Sequence, residues 1–215
     1  MRKGRRGRPA RARAPVPRQP SGELAEAMFA SIVEAGIRVL SKHGSDGLTT
    51  NRVAEVAGVS VGSLYRYFPN KEAIVSAVFD RCLERLGEVI GDAFDAARSV
   101  NDIVRGVPER IVEAFTADRA LYRELWRLRS AADAHARIAL HHTRMVQRAT
   151  AALLRLKLLP DGEAQAFAYV MIHSADGVAN QLAIDRDVDI LQVAMVCSEL
   201  MRRYFAQATR SPTPP

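Results

Sequence analysis

Beyond Pro20 the apolar residues recur every three or four positions, the period of a helix, and they do so nearly to the end of the chain. Leu24, Met28, Ile32, Ala35 and Val39 form one stripe, with Glu23, Glu26, Glu34 and Arg38 on other faces. Lys42 and His43 make a cationic last turn, Gly44 a left-handed stop, and Ser45-Asp46-Gly47 a turn. Thr49 or Thr50 then caps a short helix to about Ala57 that buries Val53, Ala54, Val56 and Ala57. Gly58-Val59-Ser60 leaves room only for a sharp turn, and a second short helix runs to Phe68. Pro69 ends that helix, and Asn70 caps the next, which carries Ile74 and Val78. Helical segments are predicted over 71–98, 102–117, 119–132, 133–157, 163–185 and 187–207. Their breaks fall at Ser99-Val100-Asn101, Gly106-Val107-Pro108, Asp118 and Leu159-Pro160-Asp161-Gly162. The chain therefore reads as helical almost throughout, without an internal repeat.

The two short helices and their glycine-containing turn form a helix-turn-helix. In the second, Leu64 and Phe68 lie roughly 40° apart, with Val61 beside them, and face inward. Gly62 and Arg66 point the other way, flanked by Ser63 and Tyr65, with Tyr67 at the boundary. Gly62 costs the helix roughly 1 kcal/mol relative to alanine, and its use is close approach of backbone to a phosphodiester chain. Arg66 can fork to guanine edges or phosphate, and tyrosine hydroxyls reach phosphate. Lys71, in the first turn of the next helix, sits beside exposed N–H groups, which form a phosphate seat.

Gly58-Val59-Ser60-Val61-Gly62 also spells G-x-S-x-G, the pattern of a hydrolase nucleophile elbow. An elbow needs a strand before its serine and a parallel sheet around it. The residues before Ser60 are helical in period, and no strand–helix alternation follows. Ser60 therefore reads as an N-cap, and no catalytic residue is assigned.

Charge sharpens the picture once it is located. The formal net charge is +7, and Arg2, Lys3, Arg5, Arg6, Arg8, Arg11, Arg13 and Arg18 fall within residues 1–18 with no acid among them. The remainder carries 23 cations against 24 acids, so the excess belongs to the first residues. Gly4, Gly7, Pro9, Pro15, Pro17 and Pro20 punctuate that stretch, and a disordered basic arm over 1–20 is expected. An arm of this kind suits a polyanion, with a tail that only aids solubility as the other reading. Within it Arg6-Gly7-Arg8-Pro9 matches the core of an AT-hook, a short segment that lies in the minor groove of A·T-rich DNA. The two cysteines, Cys82 and Cys197, stand far apart and give neither a disulfide framework nor a metal quartet, which suits a reducing cytoplasm. No apolar run approaches a membrane span, and no apolar stretch follows the basic start as in a secretory signal.

The run Leu48-Thr49-Thr50-Asn51-Arg52 through Leu64-Tyr65-Arg66-Tyr67-Phe68 and Asn70-Lys71-Glu72 resembles the DNA-binding domain of the TetR family of bacterial transcriptional regulators, from about Ser21 to Phe79. The resemblance implies an all-α homodimer, with a three-helix DNA-binding domain over 21–79. A larger helical effector-binding and dimerisation domain would occupy 80–207, with a disordered tail over 208–215. It also implies DNA contacts from Thr50, Asn51 and Arg52, from Ser60, Val61, Gly62, Ser63, Tyr65, Arg66 and Tyr67, and from Lys71. Arg66 stands where family members vary, so its base partner does not follow from the resemblance.

Residues 80–207 match no motif. Ile190, Ala194, Cys197, Met201 and Tyr204, with Val193, Leu200 and Phe205 beside them, form one stripe. Phe167, Val170, Met171, Ser174, Val178 and Leu182 form another on the helix before. The pair suits packing against a copy of itself across a two-fold, or else an internal core. Tyr122, Trp126, Met145 and Phe167 are candidate walls of an effector site, with ordinary core packing as the plainer reading. His173, Asp176 and Asn180 share a helical face and are further candidates to line that pocket, with a capped or solvated structural role as the plainer reading of the histidines. One row is too few for a metal, and His135 and His142 stand roughly 10 Å apart along their helix, too far for one ion. No metal and no cofactor is expected. The reading that follows is a regulator, most simply a repressor, released from operator DNA by an unknown small-molecule effector. The alternative is a small-molecule binding protein or enzyme in which DNA binding is incidental, although no nucleophile–base pair supports it.

Overall fold

The computed structural model describes residues 21–129, 134–185 and 188–208, and every element among them is helical. In order these are α1 (Glu23–Gly47), α2 (Thr50–Ala57), α3 (Val61–Tyr67), α4 (Lys71–Ala96), one π turn (Asp102–Gly106), α5 (Val107–Ala117), α6 (Arg119–Leu128), α7 (His135–Arg155), α8 (Asp161–Ile184) and α9 (Ile190–Ala208).

Local chemistry accounts for most of the ends. Thr49 caps α2 by accepting the Arg52 N–H, Ser60 caps α3 by accepting Ser63 N–H, and Asn70 caps α4 by accepting Ala73 N–H. Asp118 does the same for α6 at Leu121. Gly44 breaks α1 at φ 65°, ψ −175°, a backbone shape open to glycine. Contrary to expectation, Ser45-Asp46-Gly47 do not form a free turn: they complete α1 beyond the kink.

Four other expectations are corrected. Leu24 is 89 % exposed and Met28 37 %, because the core under α1 begins at Phe29, which stacks on Phe68 at 4.8 Å. Leu24 lies roughly 7 Å further along the axis. Val56 and Val61 are also exposed at their outer helix edges, so Val53 and Ala54 anchor α2 while Leu64 and Phe68 anchor α3. The predicted break at Gly106-Val107-Pro108 is absent, since the chain passes from the π turn into α5 with Pro108 in the first turn, where its missing N–H is not needed. Finally, α8 begins at Asp161, inside a predicted break, with Pro160 as its N-cap residue.

Two cores share α4 as a spine. Its first half packs Ile74, Val78 and Cys82 with α1, α2 and α3, and with Leu121 and Leu125 of α6. Its second half, through Ile90 and Phe94, packs with the π turn and with Leu153, Ala168 and Phe205 of α7, α8 and α9. Arg85 ties α4 to α1 through Glu34 at 2.6 Å, and Arg148 of α7 binds Asp92 and Asp95 of α4. No helix among the described residues is long and apolar enough to cross a membrane.

Candidate nucleic-acid interface and effector cavity

Helices α2 and α3 meet around Gly58, whose left-handed backbone (φ 69°, ψ 28°) lets Val59 N–H return to the Ala54 carbonyl. Of the residues assigned to DNA, Asn51, Arg52, Ser60, Val61, Gly62, Tyr65 and Arg66 are exposed, and Thr50, Ser63, Tyr67 and Lys71 are half-buried. Ser60 Oγ accepts Ser63 N–H at 3.0 Å and lies 2.9 Å from Ser63 Oγ. Thr50 Oγ1 and Tyr65 Oη share a hydrogen bond of 3.4 Å that ties α2 to α3. Asn51 and Arg66 are exposed, and Arg66 makes no hydrogen bond or ion pair among the described residues. Gly62 opens on space: a Cβ there would meet only Ser60 Oγ, at 3.9 Å. Tyr67 is half-buried against the first core.

Two of the assigned cations are already engaged. Arg52 Nη1 donates to the Gly47 carbonyl at 2.7 Å, and Lys71 Nζ donates to the Ser45 carbonyl at 2.9 Å. Both therefore grip the segment that leads from α1 into α2.

A third grip on that segment has no signature in the sequence. Glu124 of α6 is buried, and its Oε2 accepts Ser45 N–H at 3.0 Å. Burial alone would raise its pKa, but the Ser45 hydrogen bond, with Arg127 and Arg123 nearby, holds it below the usual carboxylate range. Ser45 is thus held by α6 through its N–H and by α4 through its carbonyl. In sequence Glu124 looks like any acid on an amphipathic helix.

The same helix walls a cavity. Tyr122, Leu125 and Trp126 of α6 face a space of about 90 Å³ closed by Cys82 and Leu86 of α4, Phe115 of α5, His141, His142 and Met145 of α7, and Ile172 and Asp176 of α8. At its polar end Arg129 Nη2 donates to Asp176 Oδ2 at 3.1 Å, and His142 Nε2 lies 3.5 Å from Asp176 Oδ1. Burial works against the Asp176 carboxylate, yet His142 and Arg129 hold its pKa down. Burial pushes the Cys82 thiol and the Tyr122 phenol up to about 12, and pushes His141 down to about 4.

Of the predicted cavity residues, Tyr122, Trp126, Met145 and Asp176 come together in this wall. Phe167 does not: it stacks on Tyr204 at 4.8 Å, between α8 and α9. His173 stacks on Tyr169 at 4.0 Å and edges onto His142 from outside the cavity. The Asn180 and Leu182 side chains, and Arg6-Gly7-Arg8-Pro9, lie outside the described residues. No group of three potential ligands could hold a metal among the described residues. The predicted interface residues Phe167, Ser174, Val178, Ile190, Ala194, Cys197, Met201 and Tyr204 all line an open apolar groove of about 510 Å³ formed with α5. Among the described residues the α9 backbone lies against α5 and the π turn, while Phe167 of α8 meets it through Tyr204 and Phe205.

Residues 32–78 match the family model of bacterial regulatory proteins, tetR family. These residues carry a tetR-type regulatory domain. The similarity to the curated relatives covers only a minor part of the chain. The HTH-type transcriptional repressor KstR of Mycolicibacterium smegmatis is 40 % identical over 55 residues, which is 26 % of this chain and 27 % of that protein. The nucleoid occlusion factor SlmA of Haemophilus ducreyi is 33 % identical over 73 residues, which is 34 % of this chain and 36 % of its own length. The chain thus matches about a third of these relatives or less. The fold continues further than the sequence similarity: a TetR transcriptional regulator from Rhodococcus sp. RHA1 superposes with a TM-score of 0.60 over 84 % of this chain and 96 % of that one, at 23 % identity.

Proposed function

We propose that this protein is a ligand-responsive transcriptional regulator, a homodimeric repressor that leaves its operator when a small molecule fills the cavity. The α3 surface of Gly62, Ser63, Tyr65 and Arg66 enters the major groove, and the partner's copy enters a second groove about one helical turn away. The KstR relative, named a repressor, supports the sign of the response. The observation that carries ligand responsiveness is the double engagement of α6. One face, through Tyr122, Leu125 and Trp126, lines the cavity, while Glu124 holds the segment entering α2. A ligand that moves α6 moves Glu124, and the reading helices of the two protomers lose their common register. Operator DNA must then weaken the ligand by the factor by which the ligand weakens DNA. The test is a gel shift with DNA upstream of the gene for this chain. The reading expects a discrete complex that Arg66→Ala weakens. Binding no tighter than to unrelated DNA at the same salt concentration would overturn it.

A further inference from the structure

The cavity discriminates between classes of ligand. Among the described residues Trp126 Nε1 is buried and has no hydrogen-bond partner, although Trp126 forms part of the cavity wall. The Arg129 guanidinium lies 4.7 Å from its ring centroid and covers one face, which fixes the indole. A buried N–H left unpaired is costly, and each such group in a folded protein calls for an explanation. The rest of the wall is largely apolar, and its ionisable groups offer no free charge. Cys82, Tyr122 and His141 are all shifted toward their neutral forms at pH 7. Asp176 already has Arg129 and His142 as partners. A charged ligand would be desolvated here with no counter-charge of its own.

We propose that the cavity takes an uncharged, mainly apolar molecule with one hydrogen-bond acceptor, of the ketone, ester or amide class, and that this acceptor takes the Trp126 Nε1–H. The assignment rests on the cavity being the effector site of the regulator described above. Its chemistry is nevertheless tested without DNA. A site built to donate one hydrogen bond rejects the analogue lacking the acceptor, because the donor is then left unpaired.

Trp126 is the chain's one tryptophan, so its emission reports on the wall directly. The full-length protein is titrated at pH 7 with 2-octanone, octane, octanoate and octylammonium, followed by Trp126 fluorescence and by calorimetry. The ketone should bind best, about tenfold more tightly than either ion, and should shift the emission. Trp126→Phe keeps a ring and removes the donor. By calorimetry this variant should lose that preference and bind the alkane at least as tightly as the ketone, whereas the parent prefers the ketone about threefold to tenfold, the worth of one neutral hydrogen bond. Tighter binding of octanoate, no binding of any of the four probes, or a ketone preference that survives in Trp126→Phe overturns the assignment. The comparison of four probes on the parent stands even if Trp126→Phe fails to fold. If the ketone binds as described but leaves the operator complex intact, the coupling to DNA falls and the ligand class stands.

Discussion

At the scale of single residues, the proposed interface rests on groups that are exposed yet locally oriented. The Tyr65 hydroxyl is held by Thr50, and Ser63 is drawn to the Ser60 cap, so both reach the outer surface with little freedom left to lose. Tyr65→Phe should weaken operator binding with little change in thermal stability, and an unchanged gel shift would show that Tyr65 does not touch DNA. Among the described residues Arg66 has no partner to leave. If it reads a base, Arg66→Ala should cost about 1–3 kcal/mol at one operator position and relax preference there, whereas a uniform loss across sequences would make it a phosphate contact. His141 gives a pH signature of the cavity wall. Burial lowers its pKa to about 4, and the neighbouring His142 adds to the effect. The unfolded chain, titrating near 6.5, then binds more protons than the folded one between those values. Stability should accordingly fall as pH drops from about 6.5 to about 4, by roughly 1–2 kcal/mol after allowing for partial solvent screening. His141→Gln should flatten that part of a thermal denaturation series. A parallel curve in the variant would assign the acid sensitivity to other groups.

Among the elements, α6 is the one whose two faces serve different ends. Glu124→Ala leaves Ser45 N–H without its acceptor and should destabilise the protein by about 1–3 kcal/mol. In the folded variant operator affinity should also fall, because the end of α1 then keeps the Lys71 and Arg52 contacts but loses the one from α6. Parental affinity in a folded Glu124→Ala protein would show that this grip does not position the reading helix. Helices α8 and α9 pose the opposite problem, since Val170, Met195 and Leu200 are each more than 60 % exposed. An apolar surface of this kind calls for a partner, and we propose a second copy of the chain. Ala194→Glu or Met201→Glu should give monomers in sedimentation runs, with much reduced operator affinity; dimers persisting in both would place the interface elsewhere. The sequence conveyed these elements unevenly. The caps Ser60 and Asn70 and the glycine turn at Gly58 act within four residues, so their meaning is local and they were legible, whereas the choice of Thr49 over Thr50 and the exposure of Val56 and Val61 were not. Periodicity also drew together eight of the residues that line the α8–α9 groove. The Glu124–Ser45 contact spans 79 positions and Arg129–Asp176 spans 47. Nothing in helical spacing marks which of many surface acids will be buried against another helix. Phe167 shows the same limit: its stripe is correct, but the choice between cavity and groove depends on where α9 crosses.

For the whole molecule the question is how affinity divides between a near-neutral body and the eight cations of residues 1–18. The body supplies shape: two α3 surfaces per dimer would fix register on a near-palindromic operator. We propose that the arm supplies attraction, since each phosphate it neutralises releases counterions and steepens the dependence on salt. Deleting residues 2–18 should therefore lower affinity and flatten the salt dependence, by up to about 0.9 for each phosphate the arm had neutralised. A more specific role is proposed for Arg6-Gly7-Arg8-Pro9. A glycine between arginines lets backbone reach the floor of a narrow minor groove, where the negative potential is strongest. In that case the deletion should cost most on operators flanked by A·T tracts and least on G·C flanks. An arm that merely attracts phosphate loses equally on both. The two outcomes separate in one experiment: parent and deletion are titrated against the same core site with each flank, at two salt concentrations. Equal losses with a flattened slope would leave a general cationic arm. Unchanged affinity on every flank would return those cations to solubility and leave DNA recognition to the helices alone.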